Sequence, residues 1–537
     1  MKNIFKSLKN YAKLAFILPV LLTGILISSC NKDIIEVDPF TSISENTAFS
    51  SPSLIDLSVT GMYQAAAIGQ YNGVGRGYIF GAAFVQQGDN RGEDALNLEA
   101  FYRITYQATY DGGTANNVYY WVDTYRLINR ANIVIDGVTK AVAAGVISAE
   151  KGNDYIGEAL YIRAISHMEL LFHFSKPYKF TAGATHPGVP YRDVPNTTLE
   201  NLEAGALLGR GTVKEGYDKV IADLTLAETK MLSKNSRTGN GKITRASKEA
   251  AIAMKTRAYL HMGDWDKVIT EGNKLNGLYS LTSSPNGPFL NSYNNSESIF
   301  SIEQSATNNP GVNAALASQY KTRLLVCISP IIWNDSEWLA NDKRRFESQT
   351  GTTTGSVSSD AMVFSNGNKK FTNKYKDGTT YTDAAPVIRY AEVLLNMAEA
   401  YARKSAPDLA NALINLNLVR NRALATPATQ AHTASTLNTQ TLMVQAIIKE
   451  RRIEFLMEGR RWPDIHRLQH ETIGGISGIP AKAPSGHPVA TAYNIGTPYA
   501  GPFQAALPYS DFRFIWPIPI LETNVNPTLA AQQNPGY

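Results

Sequence analysis

Through 390–401 the chain places Tyr390, Val393, Leu394, Met397, Ala398 and Tyr401 at spacings of three and four, which is the period of a helix with one core-facing stripe. Glu399 and Arg403 lie beside that stripe as an i, i+4 pair. A second helix is predicted over 408–423 (DLANALINLNLVRNRA), and the short turn holding Pro407 makes the two antiparallel. The same grammar predicts a helix over 248–262, closed by Gly263, and another over 266–275 capped by Asp264. Further helices are predicted at 117–136, 154–174 and 215–232, so the helical parts together span about 40–64, 117–175, 215–275 and 386–468. Between them, 65–116, 176–210, 280–385 and 470–537 are rich in Gly, Ser, Thr, Asn and Pro. Such stretches suit loops with short strands, and they are too long to be plain connectors.

Within the 248–275 pair, Ala250, Ala258, Tyr259, Gly263 and Trp265 look similar to a tetratricopeptide unit, in which small residues let helices approach and aromatics fill between them. The fold class expected is therefore mostly α: a tetratricopeptide-like helix-pair scaffold with long irregular loops and a few short strands.

Residues 450–467 (ERRIEFLMEGRRWPDIHR) break the amphipathic pattern, because charges alternate with Ile453, Phe455, Leu456, Met457 and Trp462. Glu450, Glu454 and Glu458 at i, i+4 spacing repel unless cations are near. Arg451 stands three residues before Glu454 and Arg461 three after Glu458, which makes them the expected partners. A half-buried ion network of Glu450, Arg451, Glu454, Glu458, Arg461, Asp464 and Arg467 follows. A structural brace is preferred to a catalytic cluster, since pairing consumes the carboxylates. Gly459 is expected to end one helix and Pro463 to fall in the first turn of the next.

Charge patterning changes the picture at the N-terminus. Lys2, Lys6, Lys9 and Lys13 precede an uncharged apolar run over 14–27, then Ser28, Ser29 and Cys30. That run covers about 21 Å as a helix, short of the roughly 30 Å hydrocarbon core, so a signal peptide over 1–29 is predicted rather than a permanent span. Small residues before Cys30 resemble a lipobox, which implies lipidation at Cys30 and a mature single domain over 30–537; an ordinary secretory signal is the alternative. Asn31, Lys32, Asp33 and Glu36 then follow. Losing the four lysines brings the formal charge from +5 to +1, which leaves no electrostatic footprint for nucleic acid. Cys327, in an apolar stretch, reads as a buried thiol, and no disulfide is expected.

The 450–467 run resembles the C-terminal signature of the SusD/RagB family, outer-membrane nutrient-binding lipoproteins of Bacteroidetes. Glu450, Arg451, Glu454, Glu458, Gly459, Arg461, Asp464 and Arg467 stand where that pattern expects them, while Pro463 and Ile465 depart from it. Further family features are VIRYAEVLLNMAEAYAR at 387–403, ALINLNLVRNRA at 412–423 and the tail WPIPILETNVNPTLAAQQNPGY at 516–537. Pro517, Pro519, Pro527 and Pro535 predict an extended tail against the helical body. The resemblance implies a lipid-anchored outer-membrane protein facing the extracellular side. It would act as lid of a SusC-like TonB-dependent transporter barrel and bind an oligosaccharide, or a peptide as in the RagB branch.

A sugar receptor needs exposed aromatic planes and planar polar groups, and the chain carries 27 tyrosines. Tyr71, Tyr78, Tyr102 and Tyr106 flank QQGDNRGED (86–94), where Asp89, Asn90 and Arg91 are candidates to read hydroxyl pairs. Family resemblance adds Trp333, Asn334 and Trp338, ahead of Asp342, Lys343, Arg344 and Arg345. Core packing of Trp333 and Trp338, and a turn cap at Asp89, are the competing readings. Chemistry finds little support: His466 and His470 have i, i+4 spacing without the Glu of HExxH, and neither GxSxG nor a Walker A loop is present. No metal, no cofactor beyond the lipid and no catalytic residue are expected. A membrane-tethered glycan hydrolase remains as an alternative, with Asp89, Glu93 and Asp94 as its first suspects.

Overall fold

The computed structural model describes residues 45–71, 74–290, 295–347, 360–486 and 490–537; the signal segment and Cys30 lie outside these. Helices dominate, and their ends follow local chemistry. After α1 (Glu45–Ala48), Ser51 caps α2 (Pro52–Ile68), with Pro52 at its first position. Next come α3 (Ala82–Asn90), α4 (Ala100–Gln107), α5 (Ala115–Ala143), α6 (Ala149–Phe174) and α7 (Leu199–Leu207). A capping box of Thr212 and Glu215 starts α8 (Val213–Lys230). Gly263, in the left-handed region, closes α9 (Lys248–Met262), and Asp264 caps α10 (Trp265–Asn273). The short α11 (Pro330–Trp333) precedes α12 (Tyr390–Arg403), α13 (Leu409–Ala423, capped by Asp408), α14 (Gln440–Glu454) and α15 (Arg461–Arg467).

Consecutive helices stack: α5 on α6, α6 on α8, α8 on α9 and α9 on α10. The stack then skips the loop-rich 280–385 region, so α10 packs directly on α12, which carries α13 and α14. This is the mostly α, helix-pair scaffold expected. One continuous apolar core runs through it from Phe49 to Leu529.

Strands are short and antiparallel. They are β1 (Gln70–Tyr71) with β2 (Val74–Gly75), β3 (Ala95–Asn97) with β5 (Val326–Ile328), β4 (Ser298–Ile302) with β8 (Ala385–Arg389), and β6 (Val363–Asn366) with β7 (Lys369–Thr372). The tail differs from its expected extended form. Two short helices, α16 (Ile520–Thr523) and α17 (Pro527–Ala531), interrupt it, because Pro527 suits a first helical position as well as a bend. It does lie on the body: the Trp516 amide donates to the His173 carbonyl at 2.9 Å, and Asn534 Nδ2 to Trp516 and Phe174 carbonyls at 2.7 and 2.9 Å.

The charged residues of 450–467 are buried, apart from the half-buried Arg452, and most of their partners come from far along the chain. Glu454 accepts from Arg344, Arg389 and Arg422 at 3.1, 3.0 and 2.6 Å, and Glu458 from Lys374 and Arg389 at 2.6 and 2.9 Å. Glu450 meets Arg344 at 2.5 Å and Arg420 at 3.4 Å. The local partners expected for two arginines are wrong. Arg451 holds Asp464 (2.9 Å) rather than Glu454, and Arg461 holds Glu93 (2.6 Å) rather than Glu458. For Arg461 the reason is that α14 stops at Glu454 and a turn with Met457 at φ 62° intervenes, so no continuous helix aligns 458 with 461; for Arg451, Glu454 is already met by Arg344, Arg389 and Arg422, and Arg451 turns to Asp464 and Asn396. Arg467 joins Asp464 and Glu399, and Glu399 also takes Arg403 at i, i+4.

These pairs fix the pH response. Burial alone would raise Glu399 and Glu93, but Arg467 with Arg403, and Arg461 with Arg452, outweigh it and hold both at about 2. Burial holds His167 and His466 at about 3 and puts His173 and His261 well below the usual range. Each of these groups binds fewer protons folded than unfolded, so its stability contribution is lost as pH falls. The loss begins near 6.5 for the histidines and near 4.5 for the glutamates. Asp89 and Asp123, pushed up to about 8 and about 7 by burial, act in the opposite sense, as do Glu169 and Asp383, which burial also raises; each loses stability as pH rises through its folded value. The depressed carboxylates and histidines outnumber them. Thermal melting should therefore drop by about 5–10 °C between pH 7 and pH 4; a flat profile would mean that the buried pairs do not hold.

Candidate functional site

The β3–β5 ladder joins the two regions where sequence places the ligand. Leu96 pairs with Cys327, and the Leu98 amide donates to the Leu325 carbonyl at 2.9 Å. Beneath the ladder lies a satellite core of Leu96, Tyr106, Cys327, Phe364, Phe371 and Ala483, with Leu98, Leu324 and Tyr499 at its rim. Burial pushes the Cys327 thiol up to about 12, consistent with an inert core thiol. Helix α4 leaves this platform with Tyr102, Thr105 and Tyr106 inward. Phe101, 46% exposed, and Ile104 point out.

Beside this helix end, the turn over 318–322 delivers Arg323 to the surface. Its Nη1 donates to Asn313 Oδ1 at 3.2 Å and to the Val312 carbonyl at 3.5 Å. Burial raises the Tyr102 hydroxyl, and the charges of Arg323 and Arg76 partly offset that rise, so both act electrostatically on this tyrosine. Tyr102 in turn holds Phe101 edge-on, with ring centroids 4.8 Å apart at 82°. Arg76 covers the half-buried Tyr119 ring at 4.9 Å. On the far side, Tyr499 packs edge-on against Phe503 at 5.2 Å, and Gln504 Nε2 donates to the Tyr106 carbonyl at 3.3 Å. The result is a surface with braced aromatic planes and oriented guanidinium groups.

The individual candidates named from sequence are otherwise placed. Tyr71 pairs with Val74 in the backbone ladder, and its side chain lies outside the described residues. Tyr78 is buried, donating to Asn116 Oδ1 at 3.3 Å. All of α3 is buried. Asp89 accepts from the Tyr320 hydroxyl (3.2 Å) and the Gly459 amide (3.1 Å), Asn90 is fully enclosed, and Arg91 stacks on Trp462 at 3.4 Å and donates to the Phe514 carbonyl at 2.5 Å. Tyr102 is buried as described, and Tyr106 donates to the Ala483 carbonyl at 2.5 Å. Trp333 and Trp338 are buried 5.5 Å apart around Arg345, whose guanidinium lies 4.7 and 4.1 Å from their rings. Asn334 Nδ2 donates to the Ala492 carbonyl at 2.8 Å. Pro330 opens α11.

An exposed ligand-reading role for these nine described side chains is therefore corrected: each is enclosed, most by partners remote in sequence. Phe101, Ile104, Asn313, Arg323 and Phe503, all exposed, were missed. The signal available was the i, i+3 spacing of Phe101 and Ile104, opposite the inward tyrosines. Glu93 pairs with Arg461 and Arg452, and Asp94 with Arg452, so the carboxylates suspected of hydrolysis are engaged as ion partners. His466 Nε2 bonds the Ser175 carbonyl at 2.8 Å and His470 Nε2 the Tyr509 hydroxyl at 3.0 Å.

Two family profiles match this chain. One, described as the SusD family, covers 290–537, and one described as starch-binding associating with outer membrane covers 35–260. The chain belongs to the SusD/RagB family. A crystal structure of a SusD superfamily protein from Bacteroides fragilis is 27% identical with a TM-score of 0.72, covering 89% of this chain and 99% of that one. Another, from Bacteroides thetaiotaomicron, is 22% identical with a TM-score of 0.69, over 90% and 100% of the two chains. SusD-like protein P38 of Formosa agariphila is 22% identical over 88% of this chain and 95% of its own length. SusD-like protein P25 of the same organism is 26% identical, and the match spans 52% of this chain and half of P25. For this SusD/RagB chain, no helix among the described residues is long and apolar enough to cross a membrane.

Proposed function

We propose that this protein is a cell-surface receptor, anchored through lipid on Cys30 to the outer membrane. It captures an oligosaccharide on the α4 face and delivers it unaltered, as a lid, to a SusC-like TonB-dependent transporter. The observation that carries the binding role is the exposed Phe101 ring, braced edge-on by Tyr102, with the exposed Arg323 guanidinium, held by Asn313, within electrostatic reach of that same Tyr102. A sugar ring offers a C–H face for the one and vicinal hydroxyls for the other. The starch-binding, outer-membrane description of the profile over 35–260 supports the same reading. Engagement of Glu93 and Asp94 in ion pairs supports capture over hydrolysis.

Two stacked rings and two or three net hydrogen bonds, at roughly 1 kcal/mol each, give about 4–6 kcal/mol, hence millimolar to tens-of-micromolar binding. Weak binding suits a tethered receptor, where proximity to the transporter raises local concentration and tight binding would slow release. Phe101→Ala and Arg323→Ala should each weaken glycan binding by about 1–3 kcal/mol in calorimetry while leaving the melting curve unchanged. Normal affinity in both variants would place the site elsewhere. Recovery of a large barrel protein with the receptor from solubilised membranes checks the transporter partnership; a reproducibly solitary protein would contradict it.

A further inference from the structure

Among the described residues, buried lysines pair with acids, with one exception. Lys255 holds Glu228 and Glu271, and Lys374 holds Glu458. Lys482, 3% exposed, has carbonyl partners alone: its Nζ donates to Asn90 at 2.6 Å and to Tyr106 at 3.0 Å. One of the three ammonium hydrogens remains unused, and the Tyr106 ring at 4.5 Å compensates the charge only in part. Burial, with Arg91 adding to it, lowers this ammonium to about 7. Glu93 opposes them from a distance, but Arg461 and Arg452 already hold that carboxylate. An enclosed cation without an acid is costly until something negative joins it.

Lys482 lines a cavity of about 350 Å³ at the last turn of α4. Backbone pairing of Lys482 with Gln504 and of Ile479 with Leu507 builds one wall, and 106–109 builds another. Gln107 and Thr109, both exposed, are among the lining residues, so the cavity opens where the α4 face ends. No Asp or Glu among the described residues lines it, whereas Arg513, held by Asp511 at 2.7 Å, does. Positive charge continues along the helix. Arg103 shares the exposed face of Phe101, Ile104 and Gln107, and Arg323 is exposed beside the helix end. Neither guanidinium is in an ion pair among the described residues, and Glu99, at the cap of α4, pairs with neither.

We infer that the oligosaccharide taken up on the α4 face is acidic, carrying carboxylate or sulfate groups, with Lys482 binding one such group in the cavity at the end of α4 and Arg103 and Arg323 reading others along the helix. The inference rests on capture at the α4 face and names the class of glycan captured there. An anion beside Lys482 supplies both the missing acceptor and the missing charge, while a neutral sugar hydroxyl accepts the hydrogen bond and leaves the charge unbalanced. Planar guanidinium forks match carboxylate and sulfate oxygens in the same way. The cavity volume falls at the lower end of ligand pockets, roughly 300–1,000 Å³, which suits one unit of a longer chain lying on the helix.

Calorimetry on the full mature chain tests this with two matched pairs: an oligogalacturonate against its carboxyl-reduced form, and a sulfated galactan oligosaccharide against its desulfated form. An acidic member should bind about tenfold or more tightly than its neutral counterpart, and the pair that shows the preference identifies the anion as carboxylate or sulfate. Lys482→Met should erase most of that ratio, and Arg103→Gln with Arg323→Gln should cut it several-fold. The second variant changes exposed positions only, so it decides the matter if Lys482→Met melts early. Equal affinity for charged and neutral members of both pairs would overturn the inference, as would a preference that neither variant moves. The anion site is also read apart from glycan capture, by thermal shift with single sugars. Galacturonate or galactose 6-sulfate should raise the melting temperature more than galactose does, and Lys482→Met should remove the difference. That difference, found while Phe101→Ala leaves oligosaccharide affinity unchanged, would keep the anion site and contradict capture on the α4 face. Neutral glycan binding that Phe101→Ala weakens, with no such difference, would keep capture and overturn the inference; no binding and no difference would overturn both.

Discussion

Arg389→Ala should be the most damaging single substitution in the scaffold, costing about 3–5 kcal/mol of stability. Arg389 ends β8 and stands immediately before α12, and it is buried. From there it reaches Glu297 at 2.5 Å, Glu454 at 3.0 Å and Glu458 at 2.9 Å, all of them buried. Burial alone would push Glu454 up, but Arg422, Arg389, Arg344 and Lys374 together hold it well below the usual carboxylate range. Removing the central guanidinium leaves three carboxylates sharing the remaining cations without water to replace it. Denaturant midpoints measure the loss. Pairing the change with Glu458→Gln should recover part of it, because one stranded charge is then gone. A midpoint within error of the unaltered protein would mean that the network contributes nothing.

Gly88→Ala should cost about 3 kcal/mol, by steric conflict rather than by charge. A Cβ at residue 88 would sit 2.2 Å from the Gly459 carbonyl oxygen and 2.7 Å from its carbonyl carbon and Cα. All three are backbone atoms, so no rotamer relieves the clash. The facing turn cannot retreat easily: Gly459 has φ +73°, Lys374 Nζ donates to the Glu454 and Leu456 carbonyls at 2.9 Å, and the Tyr375 hydroxyl donates to Met457 at 2.9 Å. Gly241→Ala is the control, since its Cβ would meet nothing nearer than Arg245 Cγ at 3.6 Å. Equal melting temperatures for the two variants would show that α3 and the 455–459 turn are not in tight contact.

Helices were legible where local chemistry alone decides them. The 248–262 helix has the bounds predicted for it, closed by Gly263, and Asp264 caps the next helix as expected; Asp408, read as the first residue of its helix, is instead its cap. The ion network was legible as a set of residues but not as a set of pairs. Sequence spacing reports neighbours three and four apart, whereas Glu454 and Glu458 are met by Arg344, Lys374, Arg389 and Arg422 from four other segments. For the same reason Arg461→Ala strands Glu93, not Glu458.

The site was legible by region and not by residue. The stretches around 86–110 and 324–345 meet through β3 and β5, a pairing across more than two hundred residues that no local pattern encodes. Aromatic and polar content marks both stretches, yet composition cannot say which ring faces solvent. Tyr102 and Phe101 are adjacent in sequence, and one is buried while the other is exposed. Trp333 and Trp338 have the composition of a sugar platform, but both are buried, packed edge-on against each other with Arg345 over both rings.

Capture without chemistry is tested most directly by calorimetric titration of the full mature chain with a panel of oligosaccharides and peptides, the titrated mixtures then being assayed for new reducing ends. Saturable binding of one glycan class, with a dissociation constant between millimolar and tens of micromolar and no new reducing ends after overnight incubation, is the expected result. Heat released by peptides alone, or reducing ends appearing in the mixture, would contradict it.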